Sequence, residues 1–292
     1  MKEIKYKKLD AFTSRSSLGN PAACLYLGSD QTLNEDEMQN IAKQHKGFVS
    51  EVVYCKQNND GFDLTYYSSE CEVDFCGHGT IACMYDVIKN TPDVLNKDEV
   101  IIKTNKKGVL KVYNDIQKND AVYITAPDPN FLKTNLNPLE IADALGIKTD
   151  NISKQYPIDF INAGLATLIV PIEKLEDEIN IFPSEKSLKD FCLKNDIDII
   201  LIFSKETTKE ENIAHTRVFA PKFGYLEDPA TGSGNSAFGY YMLKNNMWFG
   251  EPVSIEQGGC DREFNNVKLA IKDGKVLFGG SATTRIEGKY YI

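Results

Sequence analysis

Residues 226–239 read LEDPATGSGNSAFG, two carboxylates and a proline followed by glycines beside hydroxyl side chains. The apolar run from Ala237 to Leu243 is typical of the body of a short helix, which places Gly232 and Gly234 at its predicted N-terminus. Unpaired backbone N–H groups and the helix dipole favour an anion at such an end. Taken alone, the stretch indicates either a binding site for a small acid or an ordinary turn with an aspartate cap.

The segment CGHGTIA at residues 76–82 repeats the Gly-x-Gly-x-x-Ala pattern that runs from Gly232 to Ala237. Gly232 lies 155 residues after Gly77 (232 − 77), a little over half of the 292-residue chain. A strand-like run precedes each copy and an apolar helical run follows it. A repeat of this period predicts two similar halves. We expect each half to direct a helix end at one shared cleft.

The composition is that of an ordinary globular protein, with 42% hydrophobic and 26% charged residues. A net charge of −9 argues against a nucleic-acid partner, because nucleic-acid binding requires a basic surface. No apolar run is long enough to form a membrane-spanning helix, and the N-terminal segment MKEIKYKK lacks the apolar core of a signal peptide. We therefore expect a cytoplasmic protein with neither nucleic-acid nor membrane partners.

Cysteine and histidine usage argues against disulfides and metals. The seven cysteines are odd in number and include no C-x-x-C pair, which is typical of reduced thiols. The chain has three histidines, so a metal site would have to rely mainly on carboxylates. The sequence predicts no metal site.

The order of the predicted elements indicates the α+β class. Strand-like runs outnumber helical ones and most connections look like hairpins, which favours a mainly antiparallel sheet. The segment PDP at residues 127–129 breaks the chain and is the expected linker. The expected domains are 1–126 and 127–280, with a final strand at about 281–292 that is compatible with either half and could return to the first.

Two further helices have well-marked ends. Asn34, followed three residues later by Glu37, predicts a capping box at the start of one helix. Asn137 and Pro138 predict the start of another, and Gly146 predicts its end. Both patterns support the assignment of helices between the strand-like runs.

Glu51 stands at a predicted junction between a loop and a strand, with apolar neighbours on both sides. Such a carboxylate is either exposed at a strand end or partly desolvated. Desolvation disfavours the charged form, which makes a glutamate a useful acid–base near neutral pH. The residues around Glu51 favour the exposed alternative when they are considered alone.

Six segments, taken in order, carry a family resemblance: GNPA at 19–22, SE at 50–51, DFCGHGT at 74–80, GL at 164–165, FAP at 219–221 and EDPATGS at 227–233. Together they resemble the phenazine-biosynthesis PhzF-like family over nearly the whole chain. The resemblance implies a diaminopimelate-epimerase-like fold of two similar α+β domains with pseudo-two-fold internal symmetry. Each domain would be a curved, mainly antiparallel sheet around a central helix. The resemblance also implies a homodimer that needs neither a metal nor an organic cofactor.

The resemblance implies a PhzF-like isomerase that moves a proton on a small carboxylate-bearing substrate in the cleft between the domains. Glu51 would be the general acid–base, and it becomes the first candidate for catalysis. His78 and Asp228 would hold polar groups of the substrate and tune the proton transfer. Ser233 would bind the substrate carboxylate, and Asn20 would line the pocket near Glu51. The backbone N–H groups expected to assist belong to Gly77, Gly232 and Gly234, and Gly79 is a further expected substrate-binding position.

Two positions depart from the patterns of related proteins. Val52 stands where family members often carry a hydroxyl residue, so a supporting hydrogen bond to Glu51 is in doubt. Racemases and epimerases of this fold use two cysteines, one in each half. Cys76 matches the first, but Thr231 stands at the second, which disfavours two-thiol chemistry and leaves Cys76 as an expected packing residue.

Three other functions compete with the isomerase. A racemase or epimerase of the same fold and a non-catalytic protein that binds a small acid both stay open. A dinucleotide-binding motif at Gly77-x-Gly79-x-x-Ala82 is disfavoured, because the run VDF at residues 73–75 is too short and polar for the buried strand that this motif requires.

Overall fold

The computed structural model describes residues 1–14, 16–259 and 263–292 and divides into two compact units. The first unit comprises Met1–Ser14, Leu18–Ile124 and Gly279–Ile292, and the second comprises Ser16 and Ser17 together with Thr125–Phe278. Cys260, one of the cysteines expected to be reduced, lies outside the described residues. Within the described part of the chain, no helix has the length and apolar character needed to span a membrane.

The first unit alternates strands with two substantial helices and two single-turn ones. Its strands are β1 (Glu3–Ala11), β2 (Asn20–Leu27), β3 (Glu51–Gln57), β4 (Gly61–Ser68), β5 (Glu72–Val73), β6 (Glu99–Thr104), β7 (Gly108–Asn114), β8 (Val122–Thr125) and β18 (Ala282–Tyr291). Its helices are α1 (Glu35–Gln44), α2 (Gly77–Asn90), α3 (Pro92–Leu95) and α4 (Ile116–Asn119).

The second unit has the same kind of alternation. Its strands are β9 (Asn130–Leu132), β10 (Asp159–Asn162), β11 (Ala166–Pro171), β12 (Ile199–Ser204), β13 (Asn212–Phe219), β14 (Glu227–Asp228), β15 (Val253–Gln257), β16 (Asn265–Lys272) and β17 (Lys275–Gly280). Its helices are α5 (Pro138–Leu145), α6 (Leu175–Ile179), α7 (Glu185–Lys194) and α8 (Gly232–Lys244), with 3-10 turns at Thr149–Asn151 and Pro221–Phe223.

The strand pairing of the two units repeats. In the first unit, β2 pairs in parallel with β3, β3 is antiparallel to β4, β4 is antiparallel to β5, and β4 is parallel to β6. In the second unit, β11, β12, β13, β14 and β15 pair in the corresponding directions. Most pairs described are antiparallel, and the parallel ones are made possible by helices that connect the strands. The repeat predicted from the glycine motifs is therefore a repeat of whole ladders.

One long helix is buried in each unit. Ten consecutive residues of α2, from Gly79 to Ile88, are buried, and most of α8 is buried too. A helix that is apolar on all sides belongs in a core, and α2 packs against β1, β2, β3 and β18 while α8 packs against β10, β11, β12 and β16. Sheets with one buried helix in each unit are the α+β architecture predicted from the sequence.

Helix ends follow the sequence signals. Asn34 accepts the N–H of Glu37, and the Glu37 carboxylate accepts the N–H of Asn34, which completes the predicted capping box of α1. Asn137 caps α5, and Gly146 ends it in the left-handed conformation with φ of 70°. Both predictions are confirmed.

The final strand, whose partner the sequence left open, pairs with β1. Its ladder runs antiparallel from the pair Glu3 and Tyr291 to the pair Ala11 and Ala282. The chain ends of the first unit are thus joined in one sheet.

Candidate functional site

Glu51 is the first residue of β3, an inner strand of the first unit. It pairs with Ala22 on β2 and with Ser68 on β4. The Glu51 side chain is 21% exposed, so it is partly buried and the exposed alternative favoured by its neighbours alone is wrong. A strand with partners on both sides holds the carboxylate in a defined place.

The N-terminus of α2 brings two further reactive side chains to this carboxylate. Cys76 is the N-cap residue of α2, and its Sγ accepts the N–H of Gly79 at 3.3 Å. His78 lies in the first turn, with a side chain that is 14% exposed. Nε2 of His78 is 3.3 Å from Oε2 of Glu51, and Sγ of Cys76 is 3.8 Å from the same oxygen.

Glu51, Cys76 and His78 form what we call the carboxylate triangle. The third side joins Sγ of Cys76 to Nδ1 of His78 at 3.6 Å and to Nε2 at 3.8 Å. The sequence predicts a packing role for Cys76, whereas the structure places its sulfur in contact with the side chains of both Glu51 and His78. This contact could not be predicted from the sequence, because Glu51 and Cys76 are 25 residues apart and meet only when the start of α2 packs beside β3.

Close packing holds the sulfur of the triangle. A Cβ atom on Gly79 would lie 2.8 Å from Sγ of Cys76 and 2.8 Å from Cγ2 of Val53. Only glycine fits between the helix end and β3. Gly79 is an expected substrate-binding position, and in the structure its N–H is donated to Sγ of Cys76, which positions the sulfur.

The chemistry of the triangle is that of a proton carrier. A carboxylate accepts protons, and an imidazole or thiol beside it can donate a hydrogen bond to it. The N–H groups at the start of α2 add a partial positive charge next to the site. Among described residues, the ligand atoms of Glu51, Cys76 and His78 also form the one group of His, Cys and carboxylate side chains that lies close enough together to hold a metal ion.

In the second unit, the loop from Asp228 to Thr231 shapes the start of α8. Thr231 is the N-cap residue, but its hydroxyl donates to Oδ2 of Asp228 at 2.7 Å. Among the described residues, α8 therefore begins without a side-chain cap on its first N–H groups. Gly232, Ser233 and Gly234 supply these groups, and Ser233 is the one of the three that is not fully buried. The arrangement suits an anion.

Gln257 is a positioning residue that the sequence did not identify. Its Oε1 accepts the N–H of Thr231 at 3.0 Å and Nδ2 of Asn235 at 2.7 Å. Its Nε2 donates to the carbonyl oxygen of Asp228 at 2.9 Å and to the Thr231 hydroxyl at 3.1 Å. One buried amide thereby fixes the loop that carries Asp228 and the first turn of α8.

Arg217 is a second residue of this kind. It is 1% exposed, and its Nε and Nη2 donate to the two carboxylate oxygens of Glu227 at 2.9 and 2.8 Å. Its Nη1 donates to the backbone oxygens of Glu178, Ile179 and Ile181. This bidentate pair fixes β14, where Asp228 directly follows Glu227. The sequence indicated no partner for Glu227, because its contact with Arg217 depends on the pairing of β13 with β14.

Ladder register shows which residues correspond in the two halves. Glu72 pairs with Tyr67, and Glu227 pairs with Phe219, so the offset of 155 residues holds along both motifs (227 − 72). Thr231 then corresponds to Cys76 and Ser233 to His78. The first residue of β3 corresponds to the first residue of β12, so Ile199 stands where the first half has Glu51. At the corresponding position of the second half, the carboxylate of Glu51 is therefore replaced by an apolar side chain.

Asn20 is the first residue of β2, two positions before the residue that pairs with Glu51. It is 4% exposed. Its place on the strand next to β3 is consistent with the expected position near Glu51.

Comparison with known proteins identifies the family. The model of the PhzC-PhzF family, described as phenazine biosynthesis-like protein, matches residues 9–288. The uncharacterized isomerase YfhB of Bacillus subtilis is 31% identical over 279 residues, which cover 94% of this chain and 90% of that protein.

Solved structures share the fold. The PhzF-family phenazine biosynthesis protein of Bacillus anthracis superposes with a TM-score of 0.84 at 24% identity, covering all of both chains. A predicted epimerase from Pseudomonas aeruginosa superposes with a TM-score of 0.74 at 18% identity, covering 99% of each chain. With the family model matching almost its whole length, the chain belongs to the phenazine biosynthesis-like PhzC-PhzF family.

Proposed function

We propose that the protein is a PhzF-like isomerase that moves a proton on a small carboxylate-bearing substrate, with Glu51 as the general acid–base and no bound cofactor. The observation that supports this most directly is the carboxylate triangle. Oε2 of Glu51 is 3.3 Å from Nε2 of His78, so a carboxylate and an imidazole lie side by side, and both are groups used in acid–base catalysis. The family membership and the isomerase name of the Bacillus subtilis relative support the reaction class.

In this proposal Glu51 removes a proton from one carbon of the substrate and returns it to another. The contacts from His78 and Cys76 both fall on Oε2, so we assign Oε1 to the substrate. A hydrogen bond from His78 to Oε2 would hold the carboxylate in place while Oε1 takes up and returns the substrate proton. A single acid–base is sufficient because the proton is carried between two positions of the same molecule.

The substrate carboxylate is proposed to bind at the N-terminus of α8. Ser233 and the N–H groups of Gly232 and Gly234 would donate to it, as would the N–H of Gly77 at the start of α2. His78 and Asp228 would hold further polar groups of the substrate, and Asn20 would contribute near Glu51. Within the described part of the chain, no side chain caps the first turn of α8, because the Thr231 hydroxyl donates to Asp228, and this supports the assignment.

A two-thiol epimerase is the weaker alternative. The position that corresponds to Cys76 is Thr231, whose hydroxyl donates to a carboxylate and is a far poorer acid and base than a thiol. We also propose, from the family resemblance, a homodimer in the cytoplasm, which light scattering of the purified protein and cell fractionation would test.

The test is a substrate screen with matched variants. Wild type, Glu51→Gln and Glu72→Gln are incubated in D₂O with a panel of small cyclic acids and amino acids, and mass spectrometry detects deuterium incorporation or rearrangement. Glu72 is the control because its side chain is 20% exposed and belongs to the same unit. Activity in wild type and Glu72→Gln but not in Glu51→Gln supports the proposal. Equal activity in all three proteins contradicts it, and inertness of wild type throughout a broad panel favours a non-catalytic binding protein.

A further inference from the structure

The carboxylate triangle has the spacing of a metal site as well as that of an acid–base site. In a tetrahedral zinc site with ordinary bond lengths, ligand atoms lie roughly 3.3–3.6 Å apart. Here the oxygen and nitrogen of Glu51 and His78 are 3.3 Å apart, and the sulfur of Cys76 is 3.8 Å from each of them. Three ligands therefore stand within a few tenths of an ångström of the zinc arrangement.

The donor set selects the metal. A thiolate, an imidazole and a carboxylate together suit Zn²⁺, whereas Mg²⁺ and Ca²⁺ prefer oxygen ligands alone. Three protein ligands leave a fourth position for water or substrate, which is the pattern of zinc sites with open coordination. The side chains of Glu51 and His78 are 21% and 14% exposed, so this position is reachable from solvent.

The ligands are held before any metal arrives. Glu51 is fixed in β3 between two paired strands, and Cys76 is fixed by the N–H of Gly79 and by packing against the helix end. His78 is on the first turn of the same helix. Such preorganisation reduces the movement required for binding.

We propose that Glu51, Cys76 and His78 bind Zn²⁺ reversibly and that the bound ion blocks the active site. Zn²⁺ would displace the thiol proton of Cys76, which is released to solvent, and would bind Oε2 of Glu51, Nε2 of His78 and one water. The metal is an inhibitor in this account, so it does not conflict with a reaction that needs no cofactor. Inhibition rests on the proposed role of Glu51, whereas binding rests on the geometry alone.

Binding is tested with Co²⁺, which takes zinc sites and reports on its ligands. Wild type, Cys76→Ser, His78→Gln and the control Cys71→Ser are titrated with Co²⁺ and followed by absorption. Cys71 is an exposed cysteine of the same unit, and serine at position 76 retains an oxygen that can cap α2. Wild type and Cys71→Ser should show one equivalent of bound Co²⁺, with tetrahedral visible bands and a thiolate charge-transfer band.

The variants decide the outcome. Cys76→Ser should lose the charge-transfer band, and both ligand variants should bind at least ~100-fold more weakly, since changes in outer-shell groups alone cost 10–100-fold. Zn²⁺ should raise the Tm of wild type and leave that of Cys76→Ser unchanged. A charge-transfer band that persists in Cys76→Ser, or that disappears in Cys71→Ser, overturns the site.

Inhibition is measured separately. Zn²⁺ should inhibit wild type in competition with substrate, a chelator should restore the rate, and Cys76→Ser should resist inhibition. The two proposals can fail separately. If Co²⁺ gives the thiolate charge-transfer band but Glu51→Gln leaves proton exchange intact, the metal site is upheld and the proposed function is rejected. If proton exchange depends on Glu51 but Co²⁺ gives no thiolate charge-transfer band, the proposed function is upheld and the metal site is rejected.

Discussion

Two donors approach one oxygen of Glu51. Within the described part of the chain, the contacts of His78 and Cys76 both fall on Oε2. A carboxylate that is supported on one oxygen keeps its orientation while the other oxygen reacts. His78 therefore lies where it can hold the Glu51 carboxylate in the orientation that the proposed proton transfer requires.

His78→Gln tests this support. The variant removes the ring that lies 3.3 Å from Glu51, and we expect kcat to fall by ~10-fold or more, toward the ~10²–10⁴-fold contribution of general acid–base groups. Stability should change by less than ~1 kcal/mol because the side chain is partly exposed. Steady-state kinetics and urea unfolding measure both quantities. An unchanged kcat would remove His78 from the mechanism.

At this scale the sequence identified Glu51, His78 and Asp228 as candidates through their motifs. It could not show the approach of Cys76 to Glu51, because that contact depends on how α2 packs against β3. Arg217 and Gln257 were missed for the same reason. Each acts across a strand or helix boundary, and neither belongs to a glycine motif.

Among the elements, the start of α8 depends on buried hydrogen bonds from a neighbouring strand. Gln257→Leu would leave the N–H of Thr231 and the amide of Asn235 without their acceptor. We expect the free energy of unfolding to fall by ~2–4 kcal/mol, because each buried donor left unpaired costs about 1–3 kcal/mol. Urea unfolding measures the change, with the exposed Gln117→Leu as control. Equal effects of the two substitutions would contradict this assignment.

The glycines of α8 differ in the space around them. A Cβ on Gly232 would lie 2.5 Å from Cε2 of Phe278, whereas a Cβ on Gly234 meets its nearest atoms at 3.3 Å. Gly232→Ala should lower the free energy of unfolding by ~1–3 kcal/mol through overpacking. Gly234→Ala should cost less than ~1 kcal/mol, because alanine gains helix propensity. The reverse order in urea unfolding would show that the packing is not as described.

Helix boundaries were predictable because they depend on local chemistry. The glycine pairs marked the starts of α2 and α8, and capping residues marked those of α1 and α5. The parallel pairing of β2 with β3 was not predicted, because the sequence indicated a helix between the two strands but not which strands become neighbours. The connection through α1 makes that pair parallel.

Over the whole molecule, the strand ladder occurs twice, and the two copies have different side chains at the position of Glu51. The repeat of Gly-x-Gly-x-x-Ala predicted the duplicated fold, since each copy starts a buried helix after a short strand. The correspondence between Ile199 in the second half and Glu51 in the first could not be predicted, because the strands that carry these two residues share no sequence motif. The two copies thus share the framework, while the second copy has Ile199 at the position that corresponds to Glu51.

Stability over pH should reflect a carboxylate buried in the second unit. Glu178 and His215 are fully buried, and Nδ1 of His215 lies 3.2 Å from Oε1 of Glu178. Burial raises the pKa of Glu178 above its ordinary value of 4.5, although His215 and Arg217 oppose the shift and Glu227 adds to it. A raised pKa in the folded state means that the folded protein binds more protons than the unfolded chain. This contribution to stability is present at pH below 4.5 and is lost as pH rises through the folded-state pKa.

Glu178→Gln removes this titration. The variant should therefore become more stable relative to wild type as the pH increases from about 4 to 8. Urea unfolding at several pH values measures the difference, and Glu176→Gln, on the exposed side of the same short helix, is the control. A difference that is constant with pH would show that Glu178 does not titrate in the folded protein.

The most direct test of the central assignment is proton NMR in D₂O on a substrate found by the screen, comparing wild type, Glu51→Gln and Cys76→Ala. We expect wild type and Cys76→Ala to exchange or rearrange a carbon-bound proton, and Glu51→Gln to be slower by about 10²–10⁴-fold. Exchange that survives in Glu51→Gln and disappears in Cys76→Ala would contradict this account, because the thiol would then be the base.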